Sequence, residues 1–444
     1  MADRLLLFST DGHAGAPTEA YRDYIPAAFQ EDFGAFLGRH RQVLAAMEAA
    51  FGTGERHNLL TIFSEPVQDG WLANAKVTDG SRNGAWDRDI RFREMHGEGF
   101  AGEAVFFGPQ MIECQMPFGG GLGGLPYPAT AEQLWVGHHA YNRWLADFVD
   151  PACQAGIAVV PTLGDVDRIV EEIGFAAGAG LRGVQLPSDE DGIPLLYHER
   201  YEPVWRALVE HDMTLAFHSG QGAIRCQDRN GGMAFGAGGI SAASGALAAI
   251  EVHWHSHRPL WHLLVGLVFE KFPALRVVFT EAQADWVPDT LRYLDGRLTG
   301  VGARRLAPLW ELSQQMSLKP SEYWRRQCFV AASSATAHEL SLRHEYGVET
   351  LTFGADYPHI EGTWPNTLDW LRLICHGIPE DEARMILGAN ACRAFGMDPA
   401  KLQALASQHG PTPDDILATP ASFASDAIKW KVETAALGPA ISRP

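Results

Sequence analysis

The sequence predicts a closed parallel (β/α)8 barrel, and three observations carry that prediction. Short apolar runs recur along most of the chain, each followed by a segment of helical periodicity. No second block of different composition interrupts this alternation, so one large domain accounts for it. Several of the runs end in residues able to ligate metals or move protons, as strands do at the C-terminal rim of such a barrel. The structural alternative is an open doubly wound sheet, but no Gly-x-Gly-x-x-Gly follows the first strand.

The first strand is expected at residues 5–8 and runs into Ser9-Thr10-Asp11-Gly12-His13. Period-two alternation puts Asp11 and His13 on one face, where an acid and a neutral imidazole can share a divalent cation. Residues 14–100 read as an insertion, rich in aromatics and glycine, that either shapes and covers a site at the strand end or decorates the surface. Within it, 87–98 reads as a helix with Ile90, Phe92 and Met95 among charges. Further strands are expected at 104–107, 157–162, 182–186 and 214–218, with helices at 131–155, 165–179 and 201–211. Asp165 is an acidic cap for the second of these helices. A second insertion, 219–258, is rich in Gly and Ala and ends in His253, His255 and His257, with Arg258-Pro259 signalling a turn. A buried helix at 259–272 then leads to strands at 275–281, 327–331 and 350–356, with helices at 285–294, 337–344, 363–375 and 379–387. The organisation is thus a barrel domain over 1–396 and a polar, proline-punctuated, helical tail over 397–444.

Hydrophobic residues make up 46% of the 444 and charged residues 20%, ample for a sizeable core. The net charge of -19 argues against nucleic acid and anionic membranes as partners, since both select for basic patches. Six scattered cysteines without a Cys-x-x-Cys pair fit a reducing cytoplasm. No window approaches the roughly 20 apolar residues of a membrane span, and the first residues lack a signal-peptide pattern.

Along the expected rim stand Asp11 and His13 from the first strand, Gln185 and Pro187 from the fourth, and His218 from the fifth. Glu281 ends the sixth and Asp356 the eighth, with His359 just beyond. Two imidazoles and carboxylates without a thiolate suit zinc, manganese or iron in a site with open positions for water. A cation there brings the pKa of its water to about 7 in favourable cases, and Asp356 is placed to take the proton as general base. Glu281 and His359 are candidate assistants. The structural readings are an ordinary hydrogen-bonded pair for Asp11 and His13, and an arginine ion pair for Glu281. His359 then reads as a loop residue, and His253, His255 and His257 as packing residues. The glycine run at 119–124 lacks the Lys-Ser/Thr of a phosphate loop and reads as a loop over the rim.

Asp11-x-His13, His218 after a strand, and the Arg258-Pro259-Leu260 to Pro273 segment together resemble the amidohydrolase superfamily. So do Gly354-Ala355-Asp356-Tyr357-Pro358-His359 and Glu361-Gly362-Thr363-Trp364-Pro365-Asn366. More narrowly they resemble its amidohydrolase-2 branch, the one similar to aminocarboxymuconate semialdehyde decarboxylase; Leu387 to Gly396 resembles that branch's Asn-containing helix, with Asn390. The resemblance implies a distorted (β/α)8 TIM barrel with insertions after strands 1 and 5 and a helical C-terminal extension. It also implies a divalent metal (zinc, manganese or iron) held by Asp11, His13, His218 and Asp356. The activity implied is that of a metal-dependent hydrolase or non-oxidative decarboxylase. Its substrate would be a small carboxylate, amide or ester, attacked through a metal-activated water.

Three departures stand out. Asp11 replaces the first His of a His-x-His pair, Gln185 stands where two-metal members carry a carboxylated lysine, and Glu281 stands where the decarboxylases have a catalytic His. Glu281 as an extra metal ligand points to the branch's dinuclear iron or manganese–iron monooxygenase offshoot, similar to 2-aminoisobutyrate hydroxylase. One metal is the leading expectation and two the alternative. The chain would then be such an oxygenase or a subunit of one, and a further alternative is a non-catalytic partner subunit that retains the fold. The expected partner is a small-molecule substrate, within a homo-oligomer or a hetero-oligomer with a related chain.

Overall fold

The computed structural model of the protein describes residues 4–51, 77, 80–119, 128–220 and 250–418. Its strands are β1 (Leu7–Ser9), β2 (His13–Ala14), β3 (Phe100–Phe107), β4 (Gln154–Val159), β5 (Gly183–Gln185), β6 (Thr214–His218), β7 (Val277–Thr280), β8 (Cys328–Ser333) and β9 (Leu351–Gly354). All pair in parallel in the order β1-β3-β4-β5-β6-β7-β8-β9, with β2 continuing the first stave along β3. The ring closes where Thr10 N–H donates to the Phe353 carbonyl (2.9 Å) and Asp356 N–H to the Asp11 carbonyl (2.9 Å). This is the expected (β/α)8 barrel.

The strands are mostly apolar because both of their faces are covered. Phe106, Ala155, Ile157, Ala216, Val278, Phe329 and Ala331 fill the barrel interior, while Val184, Leu215, Phe217, Val277, Phe279 and Phe353 face outward under the helices.

Two helices depart furthest from the sequence reading. The Ala131–Phe148 helix opens on a Thr130/Gln133 capping box and stops at Phe148, not near 155. There the Asp150 carboxylate takes the Ala152 N–H (2.9 Å), turning the chain directly into β4. No turn forms at Arg258-Pro259; Pro259 lies inside the Trp254–Val265 helix. Only one intrahelical hydrogen bond is forgone, and burying Pro259 and Leu260 against the core offsets it. The break instead falls at Leu267, whose φ of 55° separates off a short Val268–Lys271 turn.

The described part of the 14–100 insertion is built into the barrel rim. Arg82 donates to the carbonyls of Pro358 (3.0 Å) and Pro109 (3.2 Å), in the loops after β9 and β3. The Arg88–Gly97 helix, capped by Asp87, sends Arg91 into a buried ion pair with Glu103. At the opposite end, the Pro399–His409 helix buries Leu402 and Ala406 against Leu6 and Phe8, and Leu5 N–H donates to the Pro411 carbonyl (2.8 Å). The start of the expected tail therefore covers the bottom of the barrel; 419–444 lie outside the described residues. No helix among the described residues is long and apolar enough to cross a membrane.

Asn390 anchors the helix that it opens. Its Nδ2 donates to the carbonyls of Val348 and Leu351, both at 2.8 Å, tying the Asn390–Phe395 helix to the entrance of β9. Asn390→Ala orphans these acceptors and is expected to destabilise the fold by about 1–3 kcal/mol. Denaturant unfolding checks this; a midpoint unchanged from wild type refutes it.

Candidate metal centre

Asp11, His13, His218, Asp356 and His359 are each at most 3% exposed and meet at the C-terminal rim. Two acids follow strand ends in left-handed backbone, Glu281 at φ 51° and Asp356 at φ 59°, which turns their side chains back over the barrel mouth. Asp11 follows the last residue of β1 by two positions, and its close approach to β9 requires glycine at 354. A Cβ there would stand 2.6 Å from Asp11 Cβ. Ser333, the last residue of β8, donates its hydroxyl to Asp11 Oδ2.

Three imidazoles are held by the same device. His13 Nδ1–H donates to the Phe107 carbonyl (2.9 Å), His218 Nδ1–H to the Ser219 carbonyl (3.0 Å), and His359 Nε2–H to the Gly108 carbonyl (2.5 Å). A carbonyl only accepts, so each neutral ring is left with its other nitrogen bearing a lone pair toward the centre, as metal-binding histidines are. His13 Nε2 lies 3.3 Å from Asp11 Oδ1 and 3.2 Å from Asp356 Oδ1. His218 Nε2 lies 3.4 Å from Asp11 Oδ1, and His359 Nδ1 lies 2.9 Å from Asp356 Oδ1. Glu281 Oε2 accepts the Ser219 hydroxyl at 2.7 Å.

The electrostatics express the same crowding. Burial opposes ionisation of Asp11, but His13 and His218 outweigh it and hold its carboxyl well below the usual range. Burial and the Asp11 charge push Asp356 up to about 6. His13 is buried, which disfavours its cation, yet the flanking Asp11 and Asp356 raise it well above an ordinary imidazole. Burial and the neighbouring His13 lower His359 to about 4.

A divalent cation fits these residues. The ligating atoms of Asp11, His13 and His218 lie within 4.8 Å of one another, as do those of His13, Asp356 and His359. His13 Nε2, Asp356 Oδ1 and His359 Nδ1 are buried without a hydrogen-bond partner, which is costly for polar atoms that nothing else satisfies.

The structure thus brings together Asp11, His13, His218, Glu281, Asp356 and His359. Gln185 ends β5 buried, its Oε1 unpartnered. His253 and His257 bond the carbonyls of Glu281 (2.8 Å) and Ala282 (2.7 Å), positioning the turn after β7 rather than the centre itself. Residues 120–124 and 221–249 lie outside the described residues. Sequence reading missed Ser333 because β8 was expected to end at 331, hiding a polar strand end. It named Glu361, two residues beyond His359, without giving it a role, and passed over Arg91, which looked like one charge among many on a helix.

The chain matches the amidohydrolase family over residues 129–397. It belongs to that family of enzymes; Asp11 and His13 lie before the matched segment. No curated protein sequence matches it. An amidohydrolase from Mycobacterium avium subsp. paratuberculosis K-10 has a similar structure, with 18% identity over 88% of this chain and 99% of that one, and a TM-score of 0.61. A 5-carboxyvanillate decarboxylase from Novosphingobium aromaticivorans, crystallised with manganese, is 17% identical over 88% of this chain and 96% of its own, with a TM-score of 0.54. A 2,6-dihydroxybenzoate decarboxylase from Rhizobium is 16% identical over 88% and 99%, also with a TM-score of 0.54. At these identities the likeness is one of fold.

Proposed function

We propose that the chain is a metal-dependent non-oxidative decarboxylase or hydrolase of a small carboxylated molecule, working at the Asp11–His13–His218–Asp356 centre. The observation that carries this reading is the buried convergence of two tautomer-fixed imidazoles on Asp11 and Asp356 at the barrel mouth. The names of the two decarboxylases, one of them holding manganese, support a carboxylated aromatic as the first substrate class to try. Asp11, His13, His218 and Asp356 would hold the ion, and their O and N donors suit manganese, iron or zinc. Such an ion supplies Lewis acidity, polarising a substrate oxygen or lowering the pKa of a water.

Asp356 is the proton carrier in this reading. Decarboxylation must deliver a proton to the carbon that loses carbon dioxide, and hydrolysis must take one from water. Asp356 Oδ1, between His13 Nε2 and His359 Nδ1 at the barrel mouth, is the carboxylate oxygen placed to do either. Glu281, fixed by Ser219, and His359, fixed by Gly108, flank it as assistants. Gln185 Oε1 and Thr280 Oγ1, buried and unpartnered, are available to orient substrate. The five described cysteines are buried and unpaired, which supports the cytoplasm as the compartment. Exposed Leu306 and Trp310 support assembly with another copy or a related chain.

The test is carbon dioxide release from 5-carboxyvanillate, 2,6-dihydroxybenzoate and related acids, beside an ester, lactone and amide panel. Chelation is expected to abolish turnover and added manganese to restore it. Asp11→Ala should fail to recover with metal. Wild-type protein that binds no divalent ion, with Asp11→Ala indistinguishable from it, would overturn the reading.

A further inference from the structure

Asp11 is held at both its backbone and its side chain. Its carbonyl accepts the Ser9 hydroxyl (2.6 Å) and the Asp356 N–H (2.9 Å), and Ser9 Oγ in turn accepts the Ala355 N–H (2.9 Å). The two carboxylate oxygens meet different surroundings. Oδ1 faces His13 Nε2 and His218 Nε2, at 3.3 and 3.4 Å. Oδ2 instead takes the hydroxyl proton of Ser333.

That last contact crosses a strand. Ser333 closes β8, and β9 lies between β8 and the first stave of the ring. Ser333 pairs in register with Gly354, where a Cβ would stand 2.6 Å from Asp11 Cβ and 3.0 Å from Ser333 Oγ. The absent side chain at 354 is what lets the acid and the hydroxyl meet over β9.

A carboxylate can ligate a cation through one oxygen or clamp it through both. An ion seated among Asp11, His13 and His218 meets Oδ1, the oxygen beside both imidazoles, while the Ser333 hydroxyl occupies Oδ2 and fixes the rotation of the group. One-oxygen ligation keeps the ligand count low. That suits manganese, iron or zinc, which accept imidazoles and leave positions for water or substrate. It disfavours calcium, which gathers roughly six to eight oxygens and often takes carboxylates through both.

We propose that Ser333 is a positioning residue that keeps Asp11 a one-oxygen ligand and so makes the centre select transition metals over calcium. The proposal rests on reading Asp11, His13 and His218 as metal ligands. Ser333 itself touches neither imidazole in this arrangement; it acts through Asp11 alone.

The experiment is manganese(II) titration of the chelator-stripped full chain by calorimetry, followed by addition of calcium chloride while paramagnetic resonance reports the manganese released. Ser333→Ala is expected to bind manganese roughly 10–100-fold more weakly than wild type, the usual cost of losing a group that orients a ligand. Its preference for manganese over calcium should fall as well, because Oδ2 becomes available. Ser333→Thr and Ser333→Val form a matched pair, alike in shape and both at home in a strand, that differ in the hydroxyl. The threonine variant should bind as wild type does and the valine variant as Ser333→Ala does. Melting in chelator shows which variants fold, and the matched pair decides the matter if Ser333→Ala does not. Wild-type manganese affinity in Ser333→Ala and Ser333→Val overturns the proposal. Equal weakening in Ser333→Thr and Ser333→Val also overturns it, by assigning the loss to packing. A loss shared equally by manganese and calcium overturns the selectivity. A wild-type chain that binds neither ion overturns the reading of the centre itself, which the other outcomes leave standing.

Discussion

Asp356→Asn is expected to lower kcat by roughly 10²–10⁴-fold, the usual worth of a positioned acid or base, while the protein stays folded. The substitution keeps the side chain's shape and removes its charge and proton. It also turns one acceptor into a donor. An amide N–H directed at His359 Nδ1, the imidazole that stays neutral, would partner a nitrogen that has none in the wild-type arrangement. The metal-free variant should therefore melt at or above the wild-type temperature even as it loses activity, the trade expected where function holds like groups together. Steady-state kinetics with melting of chelator-treated protein checks both halves. Wild-type turnover in the variant at full metal content would remove Asp356 from the chemistry.

Arg91→Met is expected to be the most damaging substitution for stability, at about 3–5 kcal/mol, because it leaves a buried charge without its partner. Arg91 Nε and Nη2 bind both oxygens of Glu103 (2.7 and 2.8 Å), and Nη1 donates to the carbonyls of His13 (2.7 Å) and Gly84 (3.2 Å). Glu103 is 3% exposed, and Gln154 Nε2 is its other neighbour at 2.7 Å. One guanidinium thus joins the insertion, β3 and the backbone of a proposed metal ligand. The double variant Arg91→Met/Glu103→Leu should recover part of the loss by removing the stranded carboxylate. Urea unfolding of the three proteins decides it: a double variant no more stable than Arg91→Met would assign the loss to the His13 and Gly84 bonds instead.

The alternation of strands and helices was legible because it is local. Continuous apolar runs such as Val277–Thr280 mark strands covered on both faces, and a capping residue such as Asp165 marks where a helix begins. The strand-end residues Asp11, His13, His218, Glu281 and Asp356 were legible too, since a polar group closing an apolar run has few structural uses. The helix expected through 155 ended at Phe148 because Asp150 supplies a turn whose hydrogen bond periodicity does not register. Pro259 stayed in a helix because burial outweighed a single missing hydrogen bond.

The amino-acid sequence by itself determined the barrel, the chemical types at its rim and the fit of a divalent ion. Those follow from side-chain periodicity and donor chemistry, which each short segment carries alone. Only the tertiary structure decided which nitrogen each imidazole offers, that His13 and His359 stack with both free nitrogens on Asp356, and that Glu361 joins Glu281. Those depend on backbone carbonyls at Phe107 and Gly108, roughly 94 and 251 residues from the rings they orient, and nothing in a local pattern encodes a partner that only closure of the barrel brings within hydrogen-bond reach.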